Sequence, residues 1–221
     1  MHHLTVPEAI AGTISAALLL VQLALLRSLV LAELIGLYSV QSLFVAFISF
    51  AVGITERDGA LIVLAVLTLV AKAIVLPFYM RRLSRDISTR VEIPESINVT
   101  LSLIIAAAIM GTAILTAGAL PLKTGEFLPQ ADLATTLAIV FVGFLVAILR
   151  PNALAQVIAF LTIENGLYFG TVTLAPGLPF VVGILLLIDV LIAVVVFAVL
   201  VRVLVSQEAS ASVDVLQQLK G

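Results

Sequence analysis

The sequence predicts an all-α, polytopic integral membrane protein with seven transmembrane helices, arranged as two parallel three-helix units joined by one helix. Of its 221 residues, 62% are hydrophobic and only 11% are charged, whereas soluble domains are about half apolar and a quarter charged. Apolar stretches of about 20 residues, the length that crosses a bilayer, also follow one another along the chain. Because almost all of the chain is then expected inside lipid, we expect no catalytic site of its own.

Composition also excludes several classes of bound group. The chain has no cysteine, which excludes thiolate-bound iron–sulfur clusters and disulfides. Its only histidines, His2 and His3, are adjacent at the N-terminus, where they cannot ligate a haem inside a helix. We therefore predict no cofactor and no metal in this chain. The net charge of -2 gives no reason to expect nucleic acid as a partner.

Polar breaks divide the chain into seven predicted spans. The longest break runs from Arg81 to Glu95, and the turn Arg150-Pro151-Asn152 places proline at a helix start, where its missing N–H does no harm. The first apolar run lacks the basic leader of a signal peptide, so we expect it to be a retained helix. The predicted spans are Pro7–Leu26, Leu31–Ile54, Gly59–Met80, Ile97–Leu120, Leu133–Leu149, Asn152–Leu174 and Leu178–Val205.

The loop charges predict the orientation of the chain. Lysine and arginine concentrate in cytoplasmic loops of membrane proteins, and here only Arg57 and Lys123 fall on the opposite side from the majority. This asymmetry places the N-terminus outside and the C-terminus in the cytoplasm. The majority side carries Arg27, Arg81, Arg82, Arg85, Arg90, Arg150, Arg202 and Lys220.

Two stretches of the chain place polar residues at matching positions, which we call a shared polar register. The stretch LLRSLVLAELIGLYSVQSLF begins at Leu25, and ILRPNALAQVIAFLTIENGL begins at Ile148. Aligned without gaps, Arg27 falls on Arg150 and Gln41 falls on Glu164. Each stretch leads into a further helix with one charge near mid-depth, Lys72 in the first half and Asp189 in the second.

This register predicts two structural repeats. The N-terminal three-helix unit covers residues 1–90, a connecting fourth helix and loop cover 91–131, and the C-terminal unit with a short tail covers 132–221. One connecting helix returns the chain to its starting side, so the units are expected to be parallel. Parallel repeats about an axis along the membrane normal are a known transporter arrangement.

The charges at mid-depth are the candidate functional residues. Glu164 follows Arg150 by about four helical turns, roughly 20 Å along the axis, and a charge there costs at least ~2.5–3.5 kcal/mol. Helical spacing puts two sets of polar side chains on single faces that should point into protein rather than lipid. These sets are Glu164, Asn165, Tyr168 and Thr171, and Tyr38, Gln41, Ser42 and Ser49.

Two interpretations of this polar set stay open. Glu164, Lys72 and Asp189 form either a proton or ion relay, or a static ion pair that fixes helix register. Gln41 and Asn165 either belong to the same proton or ion pathway or form hydrogen bonds between helices.

Two further positions each allow two interpretations. Glu33, near the predicted cytoplasmic end of its helix, is either an entrance to the buried polar set or a residue at the membrane interface. Pro77 deprives the carbonyl near Ala73 of its helical donor, which either hydrates the turn beside Lys72 or is only a packing kink.

The C-terminal unit resembles a known family of membrane subunits. Its RPNALAQVIAFLTIENGLYF, LLLIDVLIAVVVFAVLVRV and SVDVLQQLKG segments are similar to subunit K of respiratory complex I and to its counterpart in multisubunit cation/proton antiporters. Nearly the whole chain resembles the hydrogenase-4 component E family of group 4 hydrogenase and formate-hydrogenlyase complexes. That likeness includes YSVQSL from Tyr38, AKAIVLPFYMRR from Ala71, and Asp189.

The resemblance implies a bacterial inner-membrane subunit in a proton-translocating arm. Its implied partners are antiporter-like and other membrane subunits, with nickel–iron and iron–sulfur subunits at the periphery. In the subunit K family the first buried acid stands about one turn earlier, where this chain has Leu161, whereas Asp189 matches the second acid. The N-terminal unit has Gln41 and Lys72 at the matching positions. The alternatives are a structural scaffold for other subunits and a stand-alone secondary ion transporter.

Overall fold

The computed structural model describes residues 6–84, 98–120, 129–174, 185, 188–203 and 206. The C-terminal tail after residue 206 lies outside these ranges. Other residues used in the sequence predictions also lie outside the described residues, namely His2, His3, Arg85, Arg90 and Lys123.

Among the described residues, six helices are long and apolar enough to span a membrane, and six of the predicted spans match them to within a few residues. Residues 188–203 are also helical and are called α7; they lie inside the seventh predicted span. The all-α class and the multi-pass arrangement are thus confirmed, whereas the count of seven spans and the division at residues 90 and 131 stay predictions. The six helices are α1 (Val6–Arg27), α2 (Leu31–Thr55), α3 (Gly59–Leu83), α4 (Val99–Ala119), α5 (Pro129–Leu149) and α6 (Ala153–Leu174).

Short polar caps explain where helices begin. The Asp58 carboxylate accepts hydrogen bonds from the backbone N–H of Ala60 and Leu61 and starts α3. The Asn152 side chain accepts from the N–H groups of Leu154 and Ala155 and starts α6. Pro151 therefore precedes the cap instead of standing in the first helical turn. Such caps satisfy N–H groups that have no partner within the helix.

Helices of the two predicted units pack side by side in parallel. Helix α1 packs on α5, and α2 packs on α6. The Arg150 guanidinium, just after α5, donates to the Leu26 carbonyl at the C-terminal end of α1 over 2.6 Å. Near the start of α2 and α6, Leu34 and Ile158 belong to one buried apolar cluster, while Val52 and Val172 near their ends belong to another. Both pairs therefore run in the same direction.

Helix α6 is the centre of the molecule. Residues buried within the protein make up 67% of its span, against 17% for α4. Glycines let α5 and α6 approach closely: a Cβ on Gly166 would lie 2.7 Å from Cγ2 of Ile139, and one on Gly170 would lie 2.6 Å from Thr136. Small residues four apart are typical of close helix packing in membranes. Helix α6 also contains Glu164 and Asn165, two of the candidate functional residues.

Candidate functional site

An ion pair joins α3 to α6 in the interior of the helix bundle. Nζ of Lys72 lies 2.8 Å from Oε1 of Glu164, and the Lys72 side chain is fully buried whereas 20% of the Glu164 side chain remains exposed. A lone charge cannot be satisfied by lipid, and pairing is how intramembrane charges are usually stabilised. Two of the charges predicted from the sequence are thus in direct contact.

The backbone around Lys72 is not a regular α-helix. Residues Leu69–Val75 form a π-helix, a rare geometry that is frequent at functional sites. Two residues beyond it, Pro77 has no N–H, so the Ala73 carbonyl lacks the donor that an α-helix would provide. The Ser39 hydroxyl of α2 donates to this carbonyl instead. A side chain from a neighbouring helix therefore satisfies the break caused by the proline.

A buried cluster of amide and hydroxyl groups lies next to the ion pair. The Gln41 amide donates to Oε1 of Gln22 over 2.8 Å. The Asn165 amide donates to Oε1 of Gln41 over 3.2 Å and to the Ser42 hydroxyl over 2.9 Å. All four side chains are completely buried. The hydrogen bonds between helices that were expected of Gln41 and Asn165 are present, and they connect α1, α2 and α6.

Tyr38 connects the amide cluster to the ion pair. It is fully buried and precedes Ser42 by one helical turn. Its hydroxyl faces the Ser42 hydroxyl and the Glu164 carboxylate, with no aligned hydrogen bond to either within the described residues. Polar groups therefore continue from Gln22 on α1 to Lys72 on α3.

Asp189 lies on the open side of the same site. It lines a groove of about 290 Å³ between α6 and α7 together with Glu164, and it interacts electrostatically with both Lys72 and Glu164. Asp189 itself is exposed. Two carboxylates and one ammonium group thus meet here, and the groove connects them with the surroundings of the helices.

Glu33 is not part of this network. It is exposed, and its carboxylate accepts a hydrogen bond from the Ser28 hydroxyl over 2.9 Å. Both residues line a separate cavity of about 480 Å³ that also contains Arg27 and Val99. The two interpretations of Glu33 stay predictions, but its place in the fold favours an interfacial residue.

One polar residue of the site was not selected from the sequence, and two others have surroundings that differ from those predicted. Gln22 was not selected, although a lone amide in the apolar α1 segment is the same signal that marked Gln41. Arg150 was expected in a loop, but it is buried because its guanidinium reaches the end of α1. Thr171 donates to the Leu167 carbonyl of its own helix and stands apart from the network.

The chemistry available at this site is acid–base exchange. Its groups are one ammonium, two carboxylates, one phenol, and amides or hydroxyls that donate and accept hydrogen bonds. Within the described ranges, no three histidine, cysteine, aspartate or glutamate side chains come together as metal ligands. The arrangement is therefore suited to holding and passing protons, or to fixing helix register.

Comparison with known proteins gives a relative but no function. The chain is 29% identical over 214 residues to Rv0085, an uncharacterized protein of Mycobacterium tuberculosis, and the alignment covers 96% of this chain and 94% of that protein. No known protein-family profile matches the chain, and no solved structure matches it. The remaining indications of function are the site itself and the sequence resemblance to the subunit K and hydrogenase-4 component E families.

Proposed function

We propose that this chain is a non-catalytic membrane subunit of a respiratory-type hydrogenase complex. In this proposal its buried polar network takes part in moving protons, or another cation, across the membrane. Electron transfer in partner subunits drives that movement. The proposed location is the bacterial inner membrane, with the N-terminus outside and the C-terminus in the cytoplasm.

One observation carries the proposal: the buried Lys72–Glu164 pair is not sealed. Glu164 keeps 20% of its side chain exposed in the groove that also contains Asp189. A pair used only to hold helices together has no need of access to its surroundings or of a second carboxylate. Titratable groups that line a cavity within a membrane are typical of ion pathways.

The geometry supports a simple exchange. A proton that reaches Glu164 from the groove neutralises the carboxylate and weakens its attraction to Lys72. The ammonium group then keeps an uncompensated charge in an apolar setting, which favours release of a proton to the adjoining network. Asp189 is placed to deliver or accept the proton at the groove.

The resemblance to hydrogenase-4 component E and to subunit K supports the choice of complex. The subunit K family places buried acids in the two helices that correspond to α6 and α7. This chain has Glu164 and Asp189 in those helices, although Glu164 is shifted by about one turn from the family position at Leu161.

The main alternative is a structural scaffold, which the 2.8 Å separation of Lys72 and Glu164 also favours. Neutral substitutions separate the two functions. Glu164→Gln and Asp189→Asn keep the side-chain shape and remove the acid, and Glu56→Gln, at an exposed carboxylate in the turn after α2, is the matched control. Assembly is measured by co-purification of partner subunits, and translocation by acidification of inverted membrane vesicles supplied with hydrogen.

The proposal predicts loss of acidification for Glu164→Gln alone or with Asp189→Asn. We expect the complex still to assemble, because the glutamine carbonyl keeps an acceptor for Lys72, and Glu56→Gln should match the wild type in both measurements. Normal acidification in the double variant contradicts the relay and supports the scaffold. The same purification tests the third function, a stand-alone transporter. A chain that purifies without partners and moves a cation in liposomes contradicts the subunit proposal.

A further inference from the structure

Both members of the ion pair have a hydroxyl residue one helical turn away, on the same side of the membrane. Thr68 precedes Lys72 by four residues in α3, and Tyr168 follows Glu164 by four residues in α6. Because α3 and α6 run in opposite directions, both hydroxyls lie towards the predicted outer side of the pair. Residues four apart share a helix face, so these hydroxyls extend the same polar line.

Three hydroxyls meet at this place. The Tyr168 hydroxyl lies beside those of Ser49 on α2 and Thr68 on α3. Ser49 and Thr68 are completely buried, and only 3% of Tyr168 is exposed. Ser49 donates to the Val45 carbonyl over 2.7 Å, which leaves its oxygen free to accept. We call Ser49, Thr68 and Tyr168 the hydroxyl cluster.

Two of these hydroxyls lack an aligned hydrogen bond within the described part of the chain, at Oγ1 of Thr68 and at the Tyr168 phenol oxygen. A buried polar group without a partner costs about 1–3 kcal/mol. The ring of Tyr168 packs in an apolar cluster with Ile48, Val52 and Leu64, whose side chains can neither donate nor accept. A small ligand that both donates and accepts, such as water, matches this chemistry, and a water molecule can take up a proton and pass it on.

We propose that the hydroxyl cluster passes protons, through bound water, between the Lys72–Glu164 pair and the outer side of the membrane. We call this part of the proton pathway its outer leg. This inference rests on the proposed function and adds a direction and three residues to it. The cluster contains no carboxylate, so protons carried by water are favoured over a bound metal cation. Neither Thr68 nor the meeting of Tyr168 with Ser49 follows from the sequence pattern.

The test removes single hydroxyls with little change of volume. Thr68→Val and Tyr168→Phe are compared with Thr173→Val, because the buried Thr173 hydroxyl donates to the Phe169 carbonyl of its own helix and lies outside the hydroxyl cluster. Thr68→Ser keeps a hydroxyl and serves as the rescue variant. Acidification per hydrogen turnover is measured in inverted vesicles, and the thermal stability of the purified complex is measured alongside.

We expect Thr68→Val and Tyr168→Phe to slow acidification at least about tenfold, since losing a positioned proton donor commonly costs about 10²–10⁴-fold, with hydrogen turnover and stability retained. Thr173→Val and Thr68→Ser should match the wild type.

Normal acidification in Thr68→Val and Tyr168→Phe, with loss in Glu164→Gln, overturns the outer leg while the proposed function stands. If Thr173→Val is equally slow, the effect is general packing and the inference is also overturned. If Glu164→Gln acidifies normally, both proposals fail.

Discussion

Nζ of Lys72 and Oε1 of Glu164 are 2.8 Å apart, although 92 positions of sequence separate the two residues (164 − 72). Lys72 lies in the first predicted unit and Glu164 in the second. The contact therefore joins the two predicted units, at the predicted mid-depth where a lone charge is most costly.

The first prediction concerns this pair. Lys72→Met leaves the carboxylate of Glu164 without its cation, and breaking one side of a buried pair typically destabilises a protein by about 3–5 kcal/mol. The double variant Lys72→Met with Glu164→Leu removes both charges and should recover most of that loss. Denaturant unfolding in detergent of these two variants and of Glu164→Leu alone gives the coupling free energy. A double-variant loss equal to the sum of the two single losses would show that the pair is not coupled.

The Ser39 hydroxyl gives a second prediction. It donates to the Ala73 carbonyl in the π-helix, so Ser39→Ala leaves a part-buried carbonyl without its side-chain donor. We expect a loss of about 1–3 kcal/mol, measured as the unfolding free energy. Ser84→Ala is the control, because Ser84 bonds to the Arg81 carbonyl at an exposed helix end and its loss should have little effect. Equal stability of Ser39→Ala and wild type contradicts the role of this bond.

The amide cluster gives a third prediction. Gln41 and Asn165 are directly hydrogen-bonded, so Gln41→Ala and Asn165→Ala should not be additive. A double-mutant cycle on unfolding free energies is expected to give a coupling of about 0.6–2 kcal/mol, the range seen for polar contacts between membrane helices. Pairing Asn165→Ala with Thr112→Ala, whose hydroxyl bonds within α4, should give no coupling.

A fourth prediction tests the close approach of α5 and α6. Gly166→Ala places a methyl group 2.7 Å from Cγ2 of Ile139, and overpacking of this kind costs about 1–3 kcal/mol. Gly111→Ala is the control because nothing lies within 4 Å of its added Cβ on α4. Melting in detergent should show a lower midpoint for Gly166→Ala only. A similar melting temperature for both variants would mean that these helices can separate slightly without loss.

The fifth prediction is the orientation. Arg57 lies on the side with few positive charges, in the turn between α2 and α3, where its φ of 54° marks a left-handed residue. We expect a reporter that needs the cytoplasm to be active at the C-terminus and inactive when inserted at this turn. The reverse pattern would show that the loop arginines do not set the topology.

The sequence predicts the helices well because hydropathy and length are enough to define a span. It also selects Lys72, Glu164, Gln41 and Asn165, since polar atoms in lipid must find partners within protein. Pro77 marks the irregular part of α3. These predictions depend on a local property of each segment, namely how polar it is and how deep it lies.

The sequence does not predict which faces of neighbouring helices pack against each other. The approach of Gly166 to Ile139, the capture of the Ala73 carbonyl by Ser39, and the burial of Arg150 depend on the rotation of one helix against another. Hydropathy is nearly uniform around these helices, so it gives little information on rotation. Gln22 could have been found, because it breaks an apolar span as Gln41 does.

The glycine contacts between α5 and α6 have a mechanical consequence. The Ile139 and Thr136 side chains of α5 pack directly on the α6 backbone at Gly166 and Gly170, and Glu164 lies two residues before the first of these contacts. Helix α3 has the opposite character, because its π-helix around Lys72 has a less regular ladder of backbone bonds. If the distance between the two charges changes during turnover, we expect the Lys72 ammonium group to move and the Glu164 carboxylate to stay in place.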